Sequence, residues 1–81
     1  MSEITYGNGP LQAAAFVALE EGAIETEVQD GYALLVFATK WQAKNFQYQL
    51  PVGLDKVLVA QGYKMLVGLT ASGDHAVKLT R

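Results

Sequence analysis

The sequence predicts a small single α+β domain. It should hold an antiparallel sheet of about four to five strands and two helices, in the order α-β-β-β-α-β-β. Three observations lead there. Two runs of β-prone residues flank Asp30-Gly31, and Asp-Gly suits a two-residue hairpin loop because that loop requires positive φ. Two other segments carry apolar residues at helical spacing, and each ends on a glycine, Gly22 or Gly62. Adjacent strands with only two helices argue for an antiparallel sheet with helices on one face.

Each element can be justified in order. "GNGPLQAAAFVALEEG" reads as the first helix. Pro10 suits the first helical position, with Asn8 or Gly9 as the cap. Leu11, Ala15, Ala18 and Leu19 share one stripe with Phe16 beside it, and Gly22 supplies a left-handed stop. Glu20 and Glu21 sit at the end of the helix where the dipole disfavours negative charge.

"AIETEVQDGYALLVFAT" follows as a hairpin. A two-residue loop at Asp30-Gly31 sets Gln29 against Tyr32, Glu27 against Leu34 and Glu25 against Val36. On the other face Val28 meets Ala33, Thr26 meets Leu35 and Ile24 meets Phe37. That second face is a core face. The first mixes Glu25, Glu27 and Gln29 with Tyr32, Leu34 and Val36. The strand beginning at Tyr32 is thus apolar on both sides, as for a central strand. One domain of this size is expected to leave one of those sides uncovered, unless the second helix lies over it.

"TKWQAKNFQYQ" is ambiguous. Phe46, Tyr48 and Leu50 alternate with Asn45, Gln47 and Gln49, which is a strand pattern. Thr39 and Gln42 also form a capping box, and Ala43, Phe46 and Leu50 fit a helical stripe. The reading preferred here is a short turn over 40–44 and a strand over 45–50, with Phe46, Tyr48 and Leu50 inward. Pro51 ends either element. "VGLDKVLVAQG" then reads as the second helix, with Leu54, Val57, Leu58 and Gln61 on one stripe. "YKMLVGLTA" is a strand, "SGD" a turn, and "HAVKLTR" a last strand with Val77 and Leu79 inward.

The chain has 81 residues, read as one domain spanning 1–81. A chain of this length exposes roughly 4,700 Å² folded against roughly 12,600 Å² extended, so it buries about 60% of its surface around a thin core. Only 17% of residues are charged and 51% are hydrophobic, which leaves few charges to break up apolar patches. Cysteine is absent, so disulfides, thiolate metal sites and cysteine nucleophiles are excluded, and a reducing cytoplasmic setting is the default expectation. The longest apolar run, Tyr32 to Ala38, falls far short of the ~20 residues that span a bilayer. The N-terminal stretch lacks the basic start and apolar run of a signal peptide.

Charge is unevenly distributed. Residues 1–39 hold Glu3, Glu20, Glu21, Glu25, Glu27 and Asp30 with no Lys or Arg, a net of −6. Residues 40–81 hold all six cations against Asp55 and Asp74, a net of +4, and the halves add to the chain's −2. Either the two kinds of element neutralise each other by packing side by side, or two poles lie exposed and favour docking on a charged partner.

Catalytic sets are missing. Ser72, Asp74 and His75 fall within one tight turn, whereas a triad needs groups converging from separate elements. Glu25 and Glu27, with Glu20 and Glu21 nearby, suit solvated carboxylates better than a metal site. "GNGP" lacks the Lys-Ser/Thr of a phosphate loop. No cofactor is implied, and the sequence argues against an enzyme.

The expected function is a non-enzymatic protein–protein interaction module, cytoplasmic and homodimeric. Its size would suit an accessory or inhibitor protein, such as a phage-encoded factor acting on a host machine. Tyr32, Leu34 and Val36 are the candidates for self-association. Lys40, Trp41 and Lys44 are the candidates for the partner, with Glu25 and Glu27 as an acidic rim. The alternative is a single-stranded nucleic-acid-binding module in which Trp41, Phe46 and Tyr48 stack bases and Lys40 and Lys44 hold phosphates. Phosphate contacts dominate such affinity, and this chain can offer few.

Overall fold

The computed structural model describes residues 9–81. Along the chain run α1 (Gly9–Glu20), β1 (Ala23–Gln29), β2 (Tyr32–Phe37), α2 (Lys40–Gln49), α3 (Val52–Ala60), β3 (Lys64–Leu69) and β4 (His75–Thr80). The α+β class holds, with four strands and three helices among the described residues. The strands form one antiparallel sheet in the order β1-β2-β4-β3. No helix among those residues is long and apolar enough to cross a membrane.

α1 is alanine-rich, which favours helix. It buries Leu11, Ala14, Ala15 and Ala18. The expected stripe therefore shifts: Ala14 is inside, whereas Leu19 and Phe16 are 51% and 66% exposed. Small side chains let the helix lie close against β1 and β2, and Phe16 and Leu19 turn outward. The proposed cap Asn8 lies outside the described residues. Gly22 ends the helix at φ 101°, and a Cβ there would meet the Gln42 side chain at 2.7 Å.

The hairpin forms as expected from Gln29/Tyr32 to Glu25/Val36. Gly31 carries the required positive φ of 88°. Beyond Glu25 the register shifts, and Ala23 rather than Ile24 faces Phe37. An extra residue in one strand reverses the alternation past it. Ala23 therefore packs against the core and Ile24 turns out, 60% exposed.

Residues 40–49 are a helix, not a turn and strand. Thr39 caps its N-terminus. The Gln42 amide donates to Thr39 Oγ1 at 3.1 Å, and the Thr39 hydroxyl donates to Gln42 Oε1 at 3.3 Å. Ala43 and Phe46 then point inward with Leu50 just beyond, and the Phe46 ring sits 5.7 Å from Phe37. Tyr48, expected inside, is 77% exposed, because helical geometry turns it away from the Phe46 face.

α3 buries Leu58 and half-buries Leu54, while Val57 is 42% exposed. Arg81 Nε donates to the Gln61 carbonyl at 2.9 Å, and its guanidinium lies 4.5 Å from the Tyr63 ring. These contacts pin the end of β4 to the turn after α3.

Opposed residues of an antiparallel pair share a face. Ala33, Leu35 and Phe37 stand opposite Leu79, Val77 and His75, and Val77 stands opposite Val67. Ala33, Leu35, Val77 and Leu79 join the buried helix residues in one core. All three helices thus pack on one side of the sheet. The suggestion that the second helix covers the other side is overturned, since α2 and α3 both add to this core.

Candidate protein-binding surface

The other side of the sheet is free of helices among the described residues. Alternation and register place three rows across it. Gln29, Tyr32, Thr80 and Lys64 form one row. Glu27, Leu34, Lys78 and Leu66 form the next. Glu25, Val36, Ala76 and Gly68 form the third. The face is therefore acidic along β1, apolar in the middle and basic toward β4 and β3. The charge asymmetry of the sequence is exposed here and runs across the sheet.

The three candidates for self-association occupy neighbouring positions on this bare face, but not equally. Val36 is already buried in the single chain, at 5% exposure, as is Ala76 at 4%. Leu34 is half-buried, and Leu66 is 53% exposed. Leu34, Leu66 and Ala76, with the β3–β4 turn at Thr70 and Ala71, line an open concavity of about 380 Å³ that Lys78 borders. Gly68, lacking a side chain, contributes to the hollow.

Tyr32 is held rather than free. Its hydroxyl donates to Glu27 Oε2 at 2.8 Å. Gln29 Nε2 donates to the same carboxylate oxygen. The Lys78 ammonium lies 5.6 Å from the Tyr32 ring centroid, within cation–π range. Hydrogen bonding to Glu27, partial desolvation and the Glu27 charge together hold the Tyr32 phenol above its ordinary value near 10.

Lys40, Trp41 and Lys44 lie on the helix side, on α2. Glu25 and Glu27 project from the bare side, so they border Leu34 and Val36 and do not rim the α2 patch. Trp41 is 72% exposed. Tyr48 lies two helical turns further on, about 10 Å along the axis and on the same side of the helix. That pairing was hidden by the strand reading. Phe46 is fully buried, so the aromatic triplet of the nucleic-acid reading reduces to Trp41 and Tyr48.

A second concavity, of about 290 Å³, lies where α2 meets β3 and β4. Lys40, Lys44 and His75 border it, with Val67, Gly68 and Leu69 along one wall. Val67 and Leu69 are 43% and 66% exposed, because the helices do not reach across β3. β3 is thus apolar and open on both faces. The sequence marked it as a strand and gave no sign that it would be an edge.

Ser72 and Asp74 belong to the β3–β4 turn. The Ser72 hydroxyl donates to Asp74 Oδ2 at 3.4 Å, and the Asp74 amide donates to Thr70 Oγ1 at 3.1 Å. These bonds close the turn locally. Among the described residues no three His, Asp or Glu side chains cluster as a metal site would require. No family model matches the chain, and no curated protein or solved structure is significantly similar to it.

Proposed function

We infer that this protein is a non-enzymatic protein–protein interaction module that self-associates through the bare side of its sheet. One observation carries the reading: among the described residues every helix packs on one face, leaving Leu34 and Leu66 around an open hollow on the other. Stacking two such faces about 10 Å apart, as in a β-sandwich, would bury both leucines in each copy.

Magnitude sets the expected strength. A four-stranded face of six-residue strands measures roughly 15–19 Å by 20 Å. That footprint is small beside the ~800 Å² per partner of a standard interface. Micromolar or weaker association follows, so the test belongs at ~100 µM, well above micromolar dissociation constants. Light scattering should give more than one subunit for the native chain and a single subunit for Leu34→Glu. A strict monomer for the native chain at that concentration would refute self-association.

The partner would dock on α2, with Trp41 as anchor and Lys40 and Lys44 beside it, because an exposed tryptophan among cations is a natural hot spot. An accessory or inhibitory role in a reducing cytosol fits the small size and the absence of cysteine. One observation favours the nucleic-acid reading: Trp41 and Tyr48 share a side of α2 with Lys44 between them. Titration of Trp41 fluorescence with a single-stranded oligonucleotide separates the two. The protein-binding reading expects no change at low salt; salt-sensitive quenching would support base stacking.

A further inference from the structure

We propose that the outer edge of β3 receives an extended segment of another protein whose side chains alternate between apolar and acidic. This rests on the partner-binding half of the function above, and on the bare face the guest would share the Leu66 hollow with a stacked second copy.

β3 lies at the end of the sheet and pairs only with β4 among the described residues. An edge strand leaves alternate backbone N–H and C=O groups without a ladder partner, and an added strand supplies partners for them. Edges that must stay free usually carry charges, a proline or a bulge. β3 has Lys64 at its start and then Met65, Leu66, Val67, Gly68 and Leu69 without interruption. Its pairing with β4 runs in unbroken register from Lys64 to Leu69.

Both concavities described above flank this same strand, and Val67, Gly68 and Leu69 border each of them. An added strand sends successive side chains to opposite faces. Alternate residues of the guest would therefore reach the Leu66 hollow on one side and the α2 hollow on the other. Charge selects the guest. Lys40, Lys44 and His75 border the α2 hollow and Lys78 borders the other, and among the described residues no carboxylate lines either one. Carboxylates on the α2 side reaching Lys40 and Lys44, with apolar side chains on the other side entering the Leu66 hollow, complement this edge. A second copy pairing β3 with β3 would instead bring two sets of Lys40 and Lys44 toward each other.

The test is a fluorescence-anisotropy titration with labelled acetyl-Glu-Val-Glu-Val-Glu-Val-amide. Its Lys-Val counterpart and a version N-methylated at alternate residues serve as controls, and subunit number is read in parallel. The proposal expects saturable binding of the acidic peptide below about 1 mM, weakening with salt, and little binding of either control. Lys40→Gln with Lys44→Gln should weaken it about two- to thirtyfold, the span of two exposed charge pairs. Gln29→Lys on the opposite edge should leave it unchanged. Equal binding of the Lys-Val or N-methylated peptide, or none of the acidic one, would overturn the proposal. So would loss of self-association in Leu69→Lys, which would assign the edge to a second copy. Peptide binding by a monomeric chain would refute self-association and uphold the edge site; a dimer that binds no peptide would do the reverse.

Discussion

The two edges of the sheet are built differently. β1 carries Glu25 and Glu27, has its register broken between Ala23 and Glu25, and is packed along by α1. These are the devices by which proteins blunt an edge. β3 carries none of them after Lys64, and its apolar residues stay exposed on both faces. The contrast has a simple origin in chain order. α1 precedes β1 and folds back over it, whereas α2 packs over β2 and β4 and only touches β3, and α3 packs against α1. A sheet can thus close one edge and leave the other available within a single small core.

Three perturbations would break or sharpen this contrast. The largest is Phe37→Ala. Phe37 is fully buried on β2 against Phe46, and such a truncation costs about 3–5 kcal/mol. A domain of this length has a total stability of roughly 4–12 kcal/mol. Denaturant unfolding followed by circular dichroism should show much of that stability lost, with both edges affected together.

Gly22→Ala comes next and should act locally, on β1 and the start of α2. A side chain at positive φ costs roughly 1–2 kcal/mol, and here the added Cβ also meets Gln42 at 2.7 Å. Amide exchange should accelerate in β1 and at the start of α2 before it does in β3. Uniform acceleration across the sheet would contradict the local account.

The smallest concerns Tyr32, which ties β1 to β2 through Glu27. Its phenol is raised above the ordinary value near 10, so the folded chain holds that proton more tightly than the unfolded one. The associated stability is fully present below pH ~10 and falls as pH rises through the folded-state value. Phenolate absorbance should show one tyrosine titrating late, and Glu27→Gln should move it earlier. An unchanged profile in that variant would separate the shift from Glu27.

Much of the fold was legible in particular residues. Asp30-Gly31 set the hairpin and its register as far as Glu25, and Gly22, Gly62 and Gly73 marked turns that all take positive φ. α2 was not legible because Ala43, Phe46 and Leu50 satisfy a helical stripe while Phe46, Tyr48 and Leu50 satisfy a strand. The Thr39 cap, already marked by Thr39 and Gln42 in the sequence, sides with the helix. The bulge that expels Ile24 left no mark in the residues either. For the surface, the apolar second face of β2 was readable, and so were the cations of α2. Leu66 and Leu69 were missed because exposure on β3 depends on which strand β4 chooses as its other neighbour, a long-range pairing that local pattern does not encode. Tyr48 was missed with the helix that turns it outward.

The central claim is that the sheet face left free of helices among the described residues is a surface for association. A dilution series of amide NMR spectra, from ~500 µM down to ~10 µM, brackets the affinity expected for so small an interface. Shift changes should gather on Leu34, Leu66, Ala76 and Lys78 and spare the buried face of α1. Spectra that stay the same at every concentration, or changes confined to the helix side, would contradict the claim.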